Sequence, residues 1–423
     1  MLNEHPGTIS TDDAPASFVP IHSVPRYPRE FELLLSCSPG ERNGEAERLR
    51  KVLGSGLDWH LVFRLANWHH MVPLLYWSLA RVEVPVPSEV MGALKTAFIQ
   101  NVGRTLAMTG ELLTIIDLLS QRDIMAVPYK GPVLADRLYG HIALRQSADL
   151  DIIVQKRDVE NAREVLIERG YEPSVMVIGA NHDFQVESRY SERFDRPESV
   201  VELHWAFTNK DVAFPFNLED LIPRLVEHSV VGRRALVFSP EDSLLILCVH
   251  GAKHSWDRLE WICGIASLID GARQLDWDAL IDRAIETHSS RRLHLGLALA
   301  HDLYQVRLPD RALGAIRGDE LIPELARHVT LNIFDGQRNT VGTHSFGTLD
   351  HDLFHWRLAD RTGDRLRYAA YRMLNPSRPE RWSTVKVGNR SIPLHALTRP
   401  FGLILKGVQV GWRRARGISG GTS

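Results

Sequence analysis

The sequence predicts an α+β fold: a small mixed sheet with flanking helices, set between an N-terminal helical region and a C-terminal helical domain. Three observations predict it. Short β-type runs cluster between residues 124 and 239. On both sides of that stretch apolar residues return every three or four positions, the helical period. The composition, 44% hydrophobic and 24% charged over 423 residues, is that of ordinary globular domains, with length for two or three of them.

Residues 1–27 carry Pro, Ser, Thr and Asp without hydrophobic period and read as a disordered arm. Residues 28–123 read as a helical region. "DWHLVFRLANWHHMVPLLYWSLA" and "EVMGALKTAFIQNVGRTLAMTGELLTIIDLLS" both carry the helical period, and Pro85 and Pro87 set the second apart from the first. The texture changes at Ile124. "IMAVPY" is a short strand, "KGPVLADRLYG" a turn running into a helix, and "ADLDIIV" a second strand with charge at alternate positions. "RDVENAREVLIERG" is an amphipathic helix ending at Gly170, a natural C-cap. "HDFQVESRY" and "SVVELHWAF" read as an antiparallel pair, and "GRRALVFS" as a further strand, completing a core over residues 124–239. Residues 240–375 are helical again. Residues 376–423 form a basic segment whose glycines weaken regular structure.

Charge and cysteine usage exclude several classes. Fifty basic against 52 acidic residues, a net charge of -2, provide no global field to draw the chain onto nucleic acid. Cys37, Cys248 and Cys263 are odd in number and show no C-x-x-C spacing, which argues against a disulfide framework and for a reducing compartment. The N-terminus lacks the basic and apolar regions of a signal peptide, and the longest apolar stretch, Leu244 to Val249, falls far short of the ~20 residues of a spanning helix. A soluble, cytoplasmic protein is expected.

The most informative stretch is Asp149-Leu150-Asp151. In a strand, residues two apart point to one face, so the two carboxylates project together while Leu150 and Ile152 face the core. Like charges so close repel unless a cation sits between them, and a hard divalent ion such as Mg2+ (or Mn2+) prefers such oxygen ligands. Acid-x-acid triplets arise by chance about six or seven times in a chain this acidic, so a solvated strand edge is the alternative; the apolar "IIV" that follows favours a buried strand. Glu202 and His204 in "VVELHW" share one face, with Val201, Leu203 and Trp205 on the other. If the two strands pair, Glu202 joins Asp149 and Asp151, and three carboxylates can hold two metal ions about 3.5–4 Å apart for displacement at phosphorus. Taken alone, Glu202 is equally a cross-strand ion-pair partner, and His204 is more often a polar-face histidine than a ligand.

Lys130-Gly131-Pro132 stands between strand and helix. Gly131 permits close backbone approach, Pro132 suits a first helical turn, and the helix opening with Lys130 would suit a phosphate. A plain turn with a solvated lysine is the alternative. Arg145 can bind phosphate or neutralise the carboxylates. His250, Lys253 and His254 lie on one apolar helix, the histidines four apart on one face. That helix either packs the helical domain onto the core or lines a nucleotide cleft with Lys253 near phosphate. Trp256 and Trp261 read as core aromatics. The basic stretch over 350–415 is a solvated face, a docking site for an acidic acceptor or a peripheral membrane contact.

"YKGPVLADRLYGHIALRQSADLDIIVQKRDVENAREVLIERGYEP" resembles the core of the uncharacterised bacterial nucleotidyltransferase family within the DNA polymerase β-like superfamily. The residues that carry the resemblance are Lys130, Gly131, Arg145, Asp149, Asp151, Gly170 and Tyr171. "VELHW" is similar to the family's downstream acidic strand, with Glu202 and His204. "EDSLLILCVHGAKHSWDRLEWI" is similar to its helical motif, with His250, Lys253, His254, Trp256, Leu259 and Trp261. The resemblance covers about residues 30–290. Superfamily enzymes carry Gly-Ser where this chain, like the family, has Lys130-Gly131, and Gly264 stands where an Asp is usual.

The resemblance implies a polymerase β-like nucleotidyltransferase core. It implies metal-dependent transfer of a nucleoside monophosphate from an NTP to an acceptor hydroxyl or phosphate, with release of pyrophosphate. Asp149, Asp151 and Glu202 would hold the metals, and Glu202 would help to deprotonate the acceptor. Lys130, Gly131, Arg145, His204, His250, Lys253 and His254 would surround the nucleotide. The acceptor would be a small molecule, peptide, protein or glycan, since near-neutral charge disfavours nucleic acid. The alternatives are an inactive nucleotide-binding or assembly protein, and an antibiotic-modifying or toxin-like nucleotidyltransferase.

Overall fold

A computed structural model describes residues 20–21, 27–37, 45–54, 56–82, 86–174, 190–209, 212, 214–272, 274–334 and 348–374, and the backbone of 384–387 and 390–393. Nearly all of the expected N-terminal arm and most of the basic C-terminal segment lie outside the described residues. Within that segment, β8 (Thr384–Val387) and β9 (Arg390–Pro393) pair as an antiparallel hairpin. Among the described residues no helix is long and apolar enough to cross a membrane.

Helices α1 (Arg29–Leu35), α2 (Glu45–Leu53), α3 (Trp59–Trp68), α4 (Val72–Arg81) and α5 (Ser88–Ser120) come first. The long "DWHLVFRL…" segment is two helices. α3 starts at Asp58, whose carboxylate accepts from the Leu61 amide, and it stops where His70 turns left-handed at φ +57°. Pro73 then opens α4, the position where a missing N–H costs nothing.

The sheet follows. β1 (Ala126–Pro128) leads into α6 (Gly131–Tyr139), which Gly140 ends in the αL conformation. β2 (Leu150–Val154), α7 (Val159–Glu168), β3 (Glu172–Pro173), β4 (Ser191–Arg196) and β5 (Ser199–His204) complete it, in the order β1-β2-β5-β4-β3. β2 and β5 are parallel and the other pairs antiparallel, so the sheet is mixed. The antiparallel partner of β5 is Ser191–Arg196, not the expected "HDFQVESRY". Pro197-Glu198 forms a two-residue connection that returns the chain at once, and residues 181–189 lie outside the described set.

Alternation along the strands assigns the faces. Leu150, Ile152, Val154, Val201, Leu203 and Trp205 join one buried cluster with α5 and α7. Each buried aliphatic side chain of this kind stabilises by about 1.5–3 kcal/mol, and a one-residue slip would turn all of them outward. The opposite face therefore carries Asp151, Glu202 and His204.

Beyond the sheet come α8 (Leu218–Leu221) and a hairpin of β6 (Val226–Val230) and β7 (Arg233–Val237). The sequence pattern shows β7 but not β6. The hairpin turns on Val231 and Gly232, both at positive φ. The remaining helices are α9 (Pro240–Lys253), α10 (Leu259–Gly271), α11 (Trp277–Glu286), α12 (Ser290–Tyr304), α13 (Asp310–Arg317), α14 (Ile322–Phe334), α15 (Thr348–Leu358) and α16 (Thr362–Leu374). Ser239 caps α9 by accepting from the Asp242 amide at 3.1 Å. Helices α9–α15 share one continuous apolar core with α1–α4, so the chain's two helical regions close on each other.

Candidate active site

The turn from β1 into α6 begins the site. Lys130 is the N-cap of α6, and Gly131 sits at φ +62°, which glycine adopts without a Cβ penalty. The turn brings Lys130 Nζ to 2.7 Å from Asp151 Oδ1, a pair with side chains only 11% and 3% exposed. Asp151 and Glu202 are register partners across the parallel β2–β5 pair, so both carboxylates leave the same face. His204, two residues on, lies with Nε2 3.1 Å from Asp151 Oδ1 and 3.2 Å from Glu202 Oε2. Its Nδ1 is buried with no hydrogen-bond partner among the described residues. Tyr129, which sequence reasoning passed over, packs its half-buried ring edge-on against His204, with centroids 5.3 Å apart.

Electrostatics set these groups apart. Burial, then repulsion from Asp151 and Glu202, pushes Asp149 up to about 6, against the pull of Lys130 and Arg145. Burial also works against ionised Asp151, but Lys130 and His204 outweigh it and hold that carboxyl well below the usual range. The His204 hydrogen bond lowers Glu202. The face thus carries more negative charge than its own cations balance. Donor atoms of Asp151, Glu202 and His204 all lie within 4.8 Å of one another, a carboxylate–imidazole set that suits a divalent cation. Asp149 stands in the bend just before β2, beside this set rather than within it.

A cleft opens next to the carboxylates, lined by Lys130 and Leu134 of α6, Arg145, His250 of α9, and Glu260 and Trp261 of α10. Arg145 pairs with Glu260 through Nε at 2.6 Å and donates from Nη1 to Ser147 Oγ at 3.1 Å. Glu260 also escaped sequence reasoning. Its signal was a lone carboxylate in the otherwise apolar "LEWICGIASLI", which requires a buried cation. Burial, then the nearby charge of Lys130, holds the His250 imidazole well below its ordinary value.

The other predicted residues divide. Lys253 donates to the Tyr190 hydroxyl at 2.6 Å and lies over that ring. His254 is exposed and packs between the rings of His250 and Trp261, with centroids 4.7 and 5.3 Å away. Trp256 is fully buried against Gly251 and Gly296, a core aromatic as expected, whereas Trp261 reaches the cleft. Gly264 lies at the cleft too, close to Leu138.

Carboxylates on one sheet face, a lysine-led helix start and a cleft among α6, α9 and α10 together form the candidate site. Residues 55–305 match the family described as uncharacterised nucleotidyltransferase, and the chain belongs to that family. It is a nucleotidyltransferase with an α+β fold. No curated protein matches the sequence. Among solved structures, the antibiotic-resistance factor ANT(2'')-Ia is similar at 12% identity, over 46% of this chain and 92% of its own, with a TM-score of 0.25. An antigenic nucleotidyltransferase-like protein from Paracoccidioides brasiliensis is similar at 15% identity, over 49% of this chain and 95% of its own, with a TM-score of 0.30. Likeness at that level says nothing about the acceptor.

Proposed function

We propose that this nucleotidyltransferase moves a nucleoside monophosphate from an NTP to an acceptor hydroxyl or phosphate, releasing pyrophosphate. The observation that carries the reading is the in-register pair Asp151 and Glu202, with Asp149 beside it pushed up to about 6 by burial and then by their charge. Asp149, Asp151 and Glu202 would hold divalent cations, Mg2+ or Mn2+, which supply positive charge to the phosphate oxygens. Lys130, Gly131 and the amides opening α6 hold the triphosphate. Arg145 and His250 line its path, with Lys253 and His254 one turn further along α9. Glu202, 30% exposed against 3% for Asp151, is the more accessible carboxylate and would help to take the acceptor's proton. The acceptor oxygen bonds to the α-phosphorus as the bond to the bridging oxygen breaks, and its electron pair leaves with pyrophosphate.

The division into a helical region, a core over 124–239 and a helical domain over 240–375 belongs to the same reading, supported by the separate apolar cluster around the sheet. Three buried free thiols agree with a reducing, cytoplasmic setting. The acceptor class is a small molecule, peptide, protein or glycan.

Incubation with labelled NTPs and Mg2+ tests the reading, with pyrophosphate release and metal-dependent nucleotide binding as readouts. Equally weak nucleotide binding by wild type and by Asp149→Ala/Asp151→Ala would sink it. A second reading, a nucleotide-binding protein without turnover, is favoured by Lys130 Nζ and His204 Nε2, which already lie 2.7 and 3.1 Å from Asp151 Oδ1. Tight NTP binding with no product across a broad acceptor screen would support that one.

A further inference from the structure

Glu260 lies where three sequence-distant parts of the chain meet. It sits in the first turn of α10 with its side chain 3% exposed. One carboxylate oxygen is 2.6 Å from Arg145 Nε, on the segment leading to Asp149. The other is 3.3 Å from Nδ1 of His70, in the turn between α3 and α4. The Arg258 guanidinium lies against the same imidazole, 2.9 Å from its Nδ1. A buried carboxylate in an apolar helix is expensive unless paired, and a well-packed apolar residue would stabilise the helix as well or better. Stability alone does not account for it.

What Glu260 does is fix a guanidinium. Its Oε1 lies 2.6 Å from Nε as an ion pair without hydrogen-bond geometry, and Nη1 donates to the Ser147 hydroxyl, so charge at one end and a hydrogen bond at the other hold the Arg145 fork. The backbone beneath is held as well, because buried Asn101 of α5 donates to the carbonyls of Ala143 and Arg145 at 2.8 and 3.2 Å. A guanidinium has five N–H donors, and with Nη1 bonded to Ser147 and Nε turned toward Glu260 others are left for an anion. Arg145 lines the cleft together with Lys130, which opens α6.

We propose that Glu260 is a positioning residue for the phosphate tail of the nucleotide: it acts through Arg145, holding that guanidinium ready to receive the tail beside Lys130. The proposal rests on the reading of this cleft as the NTP site. Neutralising Glu260 leaves Arg145 charged but free to swing. A role limited to bracing the three parts would change thermal stability without acting through Arg145.

A double-mutant cycle on the full chain separates the two, with inorganic tripolyphosphate and Mg2+ as the probe and calorimetric Kd as the readout. Glu260→Gln keeps the shape and is expected to weaken binding about tenfold, the size of one well-placed charge-assisted hydrogen bond. Arg145→Ala is expected to weaken it at least as much, and Glu260→Gln to add nothing in that background. If Glu260→Gln does not fold, Ser147→Ala, which frees Nη1 of the same guanidinium, is expected to weaken binding a few-fold, again only while Arg145 is present. Unchanged or tighter binding by the single variants overturns the proposal, as does an effect that persists without Arg145. In those cases wild type still binds the probe; wild type that binds neither tripolyphosphate nor MgATP overturns the site reading as well.

Discussion

Replacing Lys130 with methionine separates the stability of the site from its appetite for cations. Lys130 Nζ is 2.7 Å from Asp151 Oδ1, and the two side chains are 11% and 3% exposed. Removing one partner of a buried pair costs about 3–5 kcal/mol, because the other charge is left uncompensated. His204 still lies 3.1 Å from the same oxygen, and Lys130 keeps slight exposure, so the expected loss is about 3 kcal/mol, the lower end of that range. Urea denaturation in EDTA at pH 7.5 measures it. Adding Asp151→Asn to Lys130→Met is expected to recover most of the loss, since no buried charge then remains unpaired. Divalent cation supplies the second measurement. An ion that binds only the folded state stabilises in proportion to the logarithm of its occupancy. Lys130 competes with that ion for Asp151, so Mg2+ is expected to stabilise Lys130→Met more than wild type. If Lys130→Met is as stable as wild type in EDTA, or if Mg2+ raises both equally, the electrostatic account of the site is wrong.

Three further outcomes are expected. Asp149 is held up near 6, so its ionised form destabilises the fold; that cost is absent below the ordinary carboxylate range and complete above about pH 6. After discount for partial exposure, Asp149→Asn is expected to gain about 1–2 kcal/mol at pH 7.5 in EDTA while losing Mg2+-dependent nucleotide binding, and a drop in its urea midpoint would contradict this. Burial lowers His69 to about 3, where it accepts from the Leu259 amide. Its stabilising share is therefore full above about pH 6.5 and lost as pH falls toward 3. Between pH 7 and 5 wild type should lose about 2 kcal/mol more than His69→Gln, read from paired urea curves, and parallel curves would refute it. A Cβ at Gly251 would lie 2.4 Å from the Trp256 ring, so Gly251→Ala is expected to cost about 1–3 kcal/mol with a shift in tryptophan emission, and wild-type stability would show that the ring can move aside.

Local pattern carried much of the fold and the heart of the site. The two-residue alternation in "LDIIV" and "VELHW" told which side chains face the core, and β2 and β5 obey it. The 3.6-residue period located α5, α7 and α9. Asp151, Glu202, His204 and Lys130 could be proposed together because each lies in a short segment whose geometry is local. β6 escaped because "VEHSV" has weak alternation and most of its side chains are exposed. The partner of β5 was misplaced because two neighbouring segments had comparable β character, and the Pro197-Glu198 turn decided between them.

By itself, then, the sequence determined which faces β2 and β5 bury, and so that Asp151, Glu202 and His204 share a surface. These are properties of a backbone repeat, set by residues two to four positions apart. Only the tertiary structure decided that Lys130 lies on Asp151, that one imidazole bridges two carboxylates, and that Glu260 holds an arginine more than 100 residues away in the chain. No local period encodes such partners. They follow from how elements close over one another, where a buried charge must find its opposite within a few ångströms.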